Sequence, residues 1–466
     1  MLSQWRTGRL RVFGESASGR IFTAAVLVAG LSTLVKAVSL LKEMLIARCL
    51  GTGDALDAFY VAFLLPSFFI NVIATSGNAA FVPTYIEVQR EQGADAARRL
   101  FSSFVVLSLV LLCLLSLALA LGQRWALPLI AYGFGPTKLV LTRLLFFILI
   151  ASIWLSGLNA VWRAVLNAHE CFAITSISPI ATPIIIAVLL IMSPPVSRIY
   201  ALTFGLILGT VGELAIAGYG LWGQEIPIMP RWHGFNSTLR RAFGQTWPAI
   251  AGSLLMGSTI LVDQAMAASL GPGSVSALNY ANKLLSLLLA IGLSSLSTAV
   301  LPTFSRQTAS SDWSSMRAVL STYARGMLLV TSLLTALVVA FSRPIVCLFF
   351  QGGAFSVESA DLVARVQMLL VLQLPFYATG ILYVNAIQAL KRNQILMWGT
   401  VISVSLNIIL NYLFMKVLGL PGIALSTSVV YAVSFCYLGI MLKRLIRERE
   451  ADAASLSPVL IGISAS

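Results

Sequence analysis

Residues 29–87 read AGLSTLVKAVSLLKEMLIARCLGTGDALDAFYVAFLLPSFFINVIATSGNAAFVPTYIE. Two apolar runs flank a short turn, Gly51-Thr52-Gly53. Each run reaches the roughly 20 residues that an α-helix needs to cross a bilayer. The first run nevertheless carries Lys36, Lys42 and Glu43, and the second opens on Asp57. A charge inside a span costs about 2.5–3.5 kcal/mol on insertion scales, so it faces a protein interior or a watery cavity. The stretch therefore predicts two membrane helices beside a polar chamber.

The rest of the chain agrees. Of 466 residues, 58% are hydrophobic and 10% charged, with mean hydropathy +0.91. Soluble domains carry about a quarter charged residues. Long apolar runs without strand alternation exclude a membrane β-barrel. The net charge of +14 is assigned to basic cytoplasmic loops rather than to nucleic acid. Cys49, Cys113, Cys171, Cys347 and Cys436 are scattered without a C-x-x-C pair, and His169 and His233 lie far apart. Neither a metal centre nor a cofactor is expected.

About twelve spans are predicted, near 21–47, 55–82, 99–121, 139–166, 172–192, 199–221, 245–269, 275–303, 318–341, 362–389, 394–415 and 421–442. The fold class is thus an all-α polytopic membrane protein of two six-helix lobes. The segments are a cytoplasmic start at 1–20, an N-lobe at 21–221, a basic linker at 222–244, a C-lobe at 245–442 and a tail at 443–466. The run after residue 20 is read as a retained first span, longer than a signal-peptide core. Arg6, Arg9, Arg11 and Arg20 precede the first span; Arg90, Arg98 and Arg99 follow the second. Arg231, Arg240 and Arg241 follow the sixth, and Lys443, Arg444, Arg447 and Arg449 the last. Both termini are accordingly expected in the cytoplasm. The tail beyond Glu450, small and weakly polar, is expected to be disordered.

The halves repeat. Phe81-Val82-Pro83-Thr84-Tyr85 matches Val300-Leu301-Pro302-Thr303-Phe304, and the same offset places Ala58 on Ala277 and Ala62 on Ala281. Parallel repeats of this kind belong to transporters that rock two lobes about a central site. Pro66, Pro179, Pro183 and Pro375 fall within spans, where each removes a helix hydrogen bond and is expected to bend its helix.

The order of motifs resembles the MurJ/MviN group of the multidrug/oligosaccharidyl-lipid/polysaccharide (MOP) exporter superfamily. The resemblance lies in ALDAFYVAFLLP and AFVPTYIE, in residues 129–172, and in GPGSVSALNYANKL. It continues through LFFQGGAFSVESADL, LQLPFYATGILYVNAIQALKRNQ and VSLNIILNYLFMKVLGLPGIALSTSVVY, so it covers nearly the whole chain. The family's cavity arginines are replaced: Lys36 and Lys42 stand on the first helix, and Asn282-Lys283 where Asp-Arg is common. Glu43 takes the place of an aspartate, Phe68-Phe69-Ile70-Asn71 carries no arginine, and Gly352-Gly353 replaces Arg-Gly. Family members commonly have fourteen spans rather than twelve.

The resemblance implies a flippase for an undecaprenyl-diphosphate-linked saccharide, either lipid II or an exopolysaccharide or O-antigen unit. The expected setting is the bacterial inner membrane, with a monomer among membrane lipids; a coupling ion and the membrane potential are both open as the driving force. Lys36, Lys42 and Lys283 are the candidates for gripping the diphosphate, as point charges rather than planar forks. Glu43, Arg48, Asp57 and Asp263 are candidates for gating or charge pairing. Snorkelling to water is the plainer reading of Lys42, Glu43 and Arg48; a helix N-terminal acid is that of Asp57. A MATE-type cation exporter would instead need an acidic cavity. A membrane glycosyltransferase or polymerase would need a catalytic acid in a long outer loop, where Glu358 and Asp361 are the main acids. No phosphate cradle or nucleophile elbow is present, and the chain is not read as an enzyme.

Overall fold

The computed structural model describes residues 17–235, 237–292 and 313–463, with Phe304, Gln307, Thr308 and Ser310 between the last two stretches. Val300, Leu301, Pro302 and Thr303 of the second repeat motif lie outside the described residues, as do Arg6, Arg9 and Arg11. The described chain is helical. Its helices are α1 (Ala17–Leu50), α2 (Asp54–Gln92), α3 (Ala94–Ile130), α4 (Pro136–Leu149), α5 (Ala151–Ala168), α6 (Phe172–Ile177), α7 (Ala181–Met192) and α8 (Arg198–Gly223). There follow α9 (Ser237–Ala268), α10 (Ser274–Gly292), α11 (Trp313–Ala340), α12 (Ser342–Phe350), α13 (Val357–Leu370), α14 (Leu374–Ala389), α15 (Asn393–Leu418) and α16 (Leu420–Ile463). Among the described residues, nine helical segments are long and apolar enough to cross a membrane. The protein is a multi-pass α-helical membrane protein.

Several helices break where the sequence supplies a reason. Pro179 lies in the 3₁₀ turn Ser178–Ile180 between α6 and α7. Pro375 opens α14 just after the 3₁₀ turn Val371–Gln373. At these two points the missing amide falls where a helix starts afresh, and costs little. Pro66 and Pro83 instead sit inside the continuous α2. The stretch after Glu450 departs from expectation: α16 continues to Ile463. Its Ala and Leu residues favour helix, and irregularity inferred from weak polarity was the wrong reading.

The chain clusters into two compact units, one formed up to Ser276 together with Phe350–Ser356, the other by the remainder. In the first, α2 packs on α9, α5, α4 and α3, while α1 lies along α6 and α7. One core gathers Phe81, Tyr85, Phe101, Phe104, Val165 and Leu166; the Phe81 and Phe104 rings stack at 4.1 Å. In the second unit, α16 packs on α15, α14 and α13, and a core gathers Phe304, Met316, Leu382, Ala386, Leu442 and Ile446. The repeat offset recurs in these elements. Helix α3 starts at Ala94 and α11 at Trp313, 219 residues on. Tyr85 and Phe304 are both buried, and Ala58, Ala62, Ala277 and Ala281 are all fully buried.

The segment before α9 is strapped onto the first unit. Ser102 Oγ donates to the Arg231 carbonyl at 2.8 Å, and the Arg231 amide donates back to Ser102 Oγ. The His233 amide reaches Ser103 Oγ at 3.2 Å, and Arg241 meets Glu87 at 2.7 Å. The linker thus runs against α2 and α3.

Helices α7 and α8 approach closely because α8 presents Gly205 and Gly209. A Cβ on Gly209 would lie 2.5 Å from Thr182 Cα, and one on Gly205 3.0 Å from Ile186 Cα. Small residues spaced by four allow this contact between membrane helices. Gly209→Val should therefore lower the thermal midpoint in detergent, reflecting an overpacking cost of about 1–3 kcal/mol. Gly326→Ala, with nothing within 4 Å, should not lower it. Equal midpoints for wild type and Gly209→Val would contradict the close packing.

Candidate functional site

The α1–α2 turn is the meeting point of four chain segments. Gly51 adopts φ +62°, and a Cβ there would lie 2.2 Å from the Ala354 carbonyl oxygen. Gly353 adopts φ +59°, and a Cβ there would lie 2.3 Å from the Arg48 carbonyl oxygen. Only glycine combines a left-handed turn with such an approach. The Ala354 amide donates to the Arg48 carbonyl at 2.8 Å, so the 350–356 loop is seated on the end of α1. Arg198 at the start of α8 donates to the Cys49 carbonyl at 3.2 Å.

Asp57 lies one turn beyond this junction and is wholly buried. Its Oδ2 accepts the Gly273 amide at 2.7 Å, and its Oδ1 accepts the Ser276 amide at 2.8 Å. Gly273 immediately precedes α10 and Ser276 lies in its first turn, where no intrahelical acceptor exists. Asp57 therefore caps α10 from a different helix, with its charge at the positive end of that helix. Lys138 supplies the counter-charge: its Nζ is 3.0 Å from Asp57 and 2.7 Å from Asp54. The ammonium also lies 3.9 Å from the centre of the Phe134 ring. A small pocket of about 230 Å³, lined by Asp54, Phe134, Pro136, Lys138 and Pro272, borders the cluster.

Asp57 thus pairs with Lys138 and with backbone, not with Arg48, whose side chain is exposed. Lys138 escaped the sequence reading because it sits at the start of α4, after Gly135-Pro136, like any helix-opening residue. One signal was present. A cation in a helix's first turn opposes the helix dipole, so it calls for an acidic partner from elsewhere.

The α1 charges are arranged differently. Lys42 Nζ lies 2.7 Å from Glu43 Oε1, with both side chains mostly covered. Successive helical residues point apart, so the lysine stem must fold around the helix to bring the pair together. Lys42 borders a groove between α1 and α7, about 370 Å³, lined also by Val38, Leu41, Leu45, Arg48 and Pro183. Tyr60 of α2 lies within electrostatic reach of both Glu43 and Asp57. Lys36, two turns from Glu43 along α1, is exposed. Asp263 is half-buried on α9. Lys283 is half-buried on α10 in the second unit. Among the described residues, no group of three or more His, Cys, Asp or Glu residues could hold a metal ion.

Removing one partner from a buried pair leaves an unpaired charge, at a cost of about 3–5 kcal/mol. Lys138→Met should accordingly lower the thermal midpoint strongly. The double variant Asp57→Asn/Lys138→Met should recover much of that loss, because no buried charge is stranded at position 57. A Lys138→Met midpoint equal to wild type would show that Asp57 is not held as described.

Comparison with known proteins agrees with this architecture. The family described as "Lipid II flippase MurJ" matches residues 46–460. The lipid II flippase MurJ of Burkholderia cenocepacia is 26% identical over 431 residues, spanning 88% of this chain and 81% of that protein. A probable lipid II flippase MurJ of Rhizobium tropici is 26% identical over 404 residues, spanning 83% and 74%. Among solved structures, a lipid II flippase MurJ in an inward closed conformation superposes with TM-score 0.79 at 21% identity, covering 94% of this chain and 92% of that one. An inward-facing MATE family transporter of the MOP superfamily superposes with TM-score 0.77 at 13% identity, covering 92% and 99%. With the family matched over most of its length, this chain belongs to the lipid II flippase MurJ family and is a transporter rather than an enzyme.

Proposed function

We propose that this protein moves lipid II, an undecaprenyl-diphosphate-linked saccharide, from the inner to the outer leaflet of the bacterial cytoplasmic membrane by alternating access. Family membership supports the substrate. The observation that carries the mechanism is the buried Asp57 carboxylate, held by the first turn of α10 and by Lys138. With both termini cytoplasmic, the α1–α2 turn lies at the outer face, and the Asp57 cluster is an outer latch. Opening outward requires α10 and the 350–356 loop to leave the ends of α2 and α1. Asp57 would then meet water, which replaces its hydrogen bonds, so the latch can exchange partners at modest net cost.

Lys36, Lys42 and Lys283 are the groups proposed to hold the diphosphate. Glu43 neutralises Lys42. A diphosphate competes for the same ammonium, and its arrival turns Lys42 from Glu43 to substrate. The stem that folds around α1 gives the reach for this exchange. Asp263 is proposed to balance Lys283 or to take up a coupling ion, and cationic side chains moving through the field would let the membrane potential drive the cycle. Arg48 anchors the end of α1 at the outer face, and the protein acts as a monomer. The basic first helix argues against cation cargo.

Depleting the protein in its own host and extracting polyprenyl-linked precursors tests the substrate. Lipid II should accumulate several-fold while wall synthesis stops. Normal lipid II with loss of a surface polysaccharide would assign a related carrier instead. Lys36→Ala and Lys283→Ala should each fail to restore growth while inserting normally; full complementation by both would remove the cationic site.

A further inference from the structure

Inside the N-terminal bundle, away from the latch, a second carboxylate is held without a direct ion pair. Glu213 lies on α8. Asn159 Nδ2 on α5 donates to its Oε2 at 2.8 Å, and Thr182 Oγ1 on α7 donates to its Oε1 at 2.6 Å. Gly209 lets α7 come near enough for Thr182 to reach it. Asn159 is 95% buried, and its Oδ1 has no hydrogen-bond partner. Arg163, one turn beyond Asn159 on α5, acts on Glu213 electrostatically, and its buried Nε has no partner either. Glu213 lies ten residues, roughly 15 Å, from the nearer end of α8, well inside a bilayer.

The charged surroundings are sparse. Of the helices packed on α8, α6 and α7 carry no charged residue, and α5 carries only Arg163. Helix α4 brings Lys138 and Arg143, α2 brings Asp54 and Asp57, and α1 brings Arg20, Lys36, Lys42, Glu43 and Arg48. The latch members of this set, Asp54, Asp57, Lys138 and Arg48, gather near the start of α8, which Arg198 ties to the end of α1. Glu213 is fifteen residues further on, about 22 Å along the helix. At the other end stand Glu87, Arg90 and Glu91 of α2, with His169 and Glu170 just past α5.

We infer that Glu213 is a proton-binding site of the N-terminal bundle, exchanging a proton with the aqueous phase while α5, α7 and α8 stay packed. The ionised carboxylate is the form held by the Asn159 amide nitrogen and the Thr182 hydroxyl. When a proton arrives at Oε2, the Asn159 amide turns over, and its unpartnered Oδ1 accepts the new O–H. Thr182 continues to donate to the remaining carbonyl oxygen. Each state keeps its hydrogen bonds, and no bond other than O–H is made or broken. A metal cation is a poorer fit: both carboxylate oxygens already accept donors, and the Arg163 guanidinium repels it. Proton uptake leaves Arg163 as the net charge of this region, which makes the bundle more attractive to an anion in its acidic state.

The inference does not depend on which lipid is carried, so its test reads the proton directly. Infrared difference spectra of the purified, reconstituted protein are recorded between about pH 5 and about pH 9. A protonated-carboxyl band should grow as pH falls and should be missing in Glu213→Gln. Arg163→Gln removes a nearby positive charge and should move the midpoint of that band upward by about one pH unit. An identical titrating band in Glu213→Gln, or none in wild type, would overturn the inference and leave Glu213 a fixed polar pin between helices. If Glu213→Gln did not insert, an unmoved midpoint in Arg163→Gln would overturn it equally.

Discussion

A fully buried carboxylate at the end of a membrane helix has to be satisfied by protein alone, and Asp57 shows how much structure that demands. It takes two backbone amides at the start of α10 and one ammonium from the first turn of α4. Those donors in turn fix where the 269–276 turn and the start of α4 can lie. The neighbouring glycines, Gly51 and Gly353, allow the 350–356 loop to close against the end of α1. The backbone hydrogen bonds among these satisfy helix-terminal groups that would otherwise be orphaned. The junction is therefore specific and also breakable, because water can replace every partner once it is admitted.

The covered charges of this protein sit where neighbouring side chains or backbone amides hold them. The α1 pair of Lys42 and Glu43 stores a cation beside a neutralising acid. The Glu213 site stores an acid beside neutral donors, with Arg163 at a distance. The Asp57–Lys138 cluster combines both arrangements. In each, the polar group is held by partners from two or three helices, so altering one partner bears on how those helices pack. That is a physical basis for coupling between a charge event and a movement of helices.

Most of the fold was legible in the sequence. Hydropathy and length predicted about twelve spans, and nine of them correspond to long apolar helical segments among the described residues; of the repeat motif's counterpart, Phe304 is described and is buried. Prolines at 179 and 375 marked real breaks. The candidate site was legible only by residue type. Lys36 lies two turns from Glu43 along α1, yet it is the long, flexible Lys42 stem that reaches the carboxylate. Lys138, Asn159 and Thr182 were missed because their roles arise from partners on other helices, and no local pattern carries that information. The helical tail of α16 was missed because weak polarity was weighed above the helix propensity of its alanines.

The most direct measurement is lipid-linked diphosphate transfer in liposomes by a protein whose latch can be locked. With the five native cysteines changed to serine, Arg48→Cys and Ala354→Cys place thiols on two residues already joined by a backbone hydrogen bond. If the outer latch must open in each cycle, cross-linking this pair stops transfer and reduction restores it. Undiminished transfer by the fully cross-linked protein would contradict a latch that opens at the end of α1.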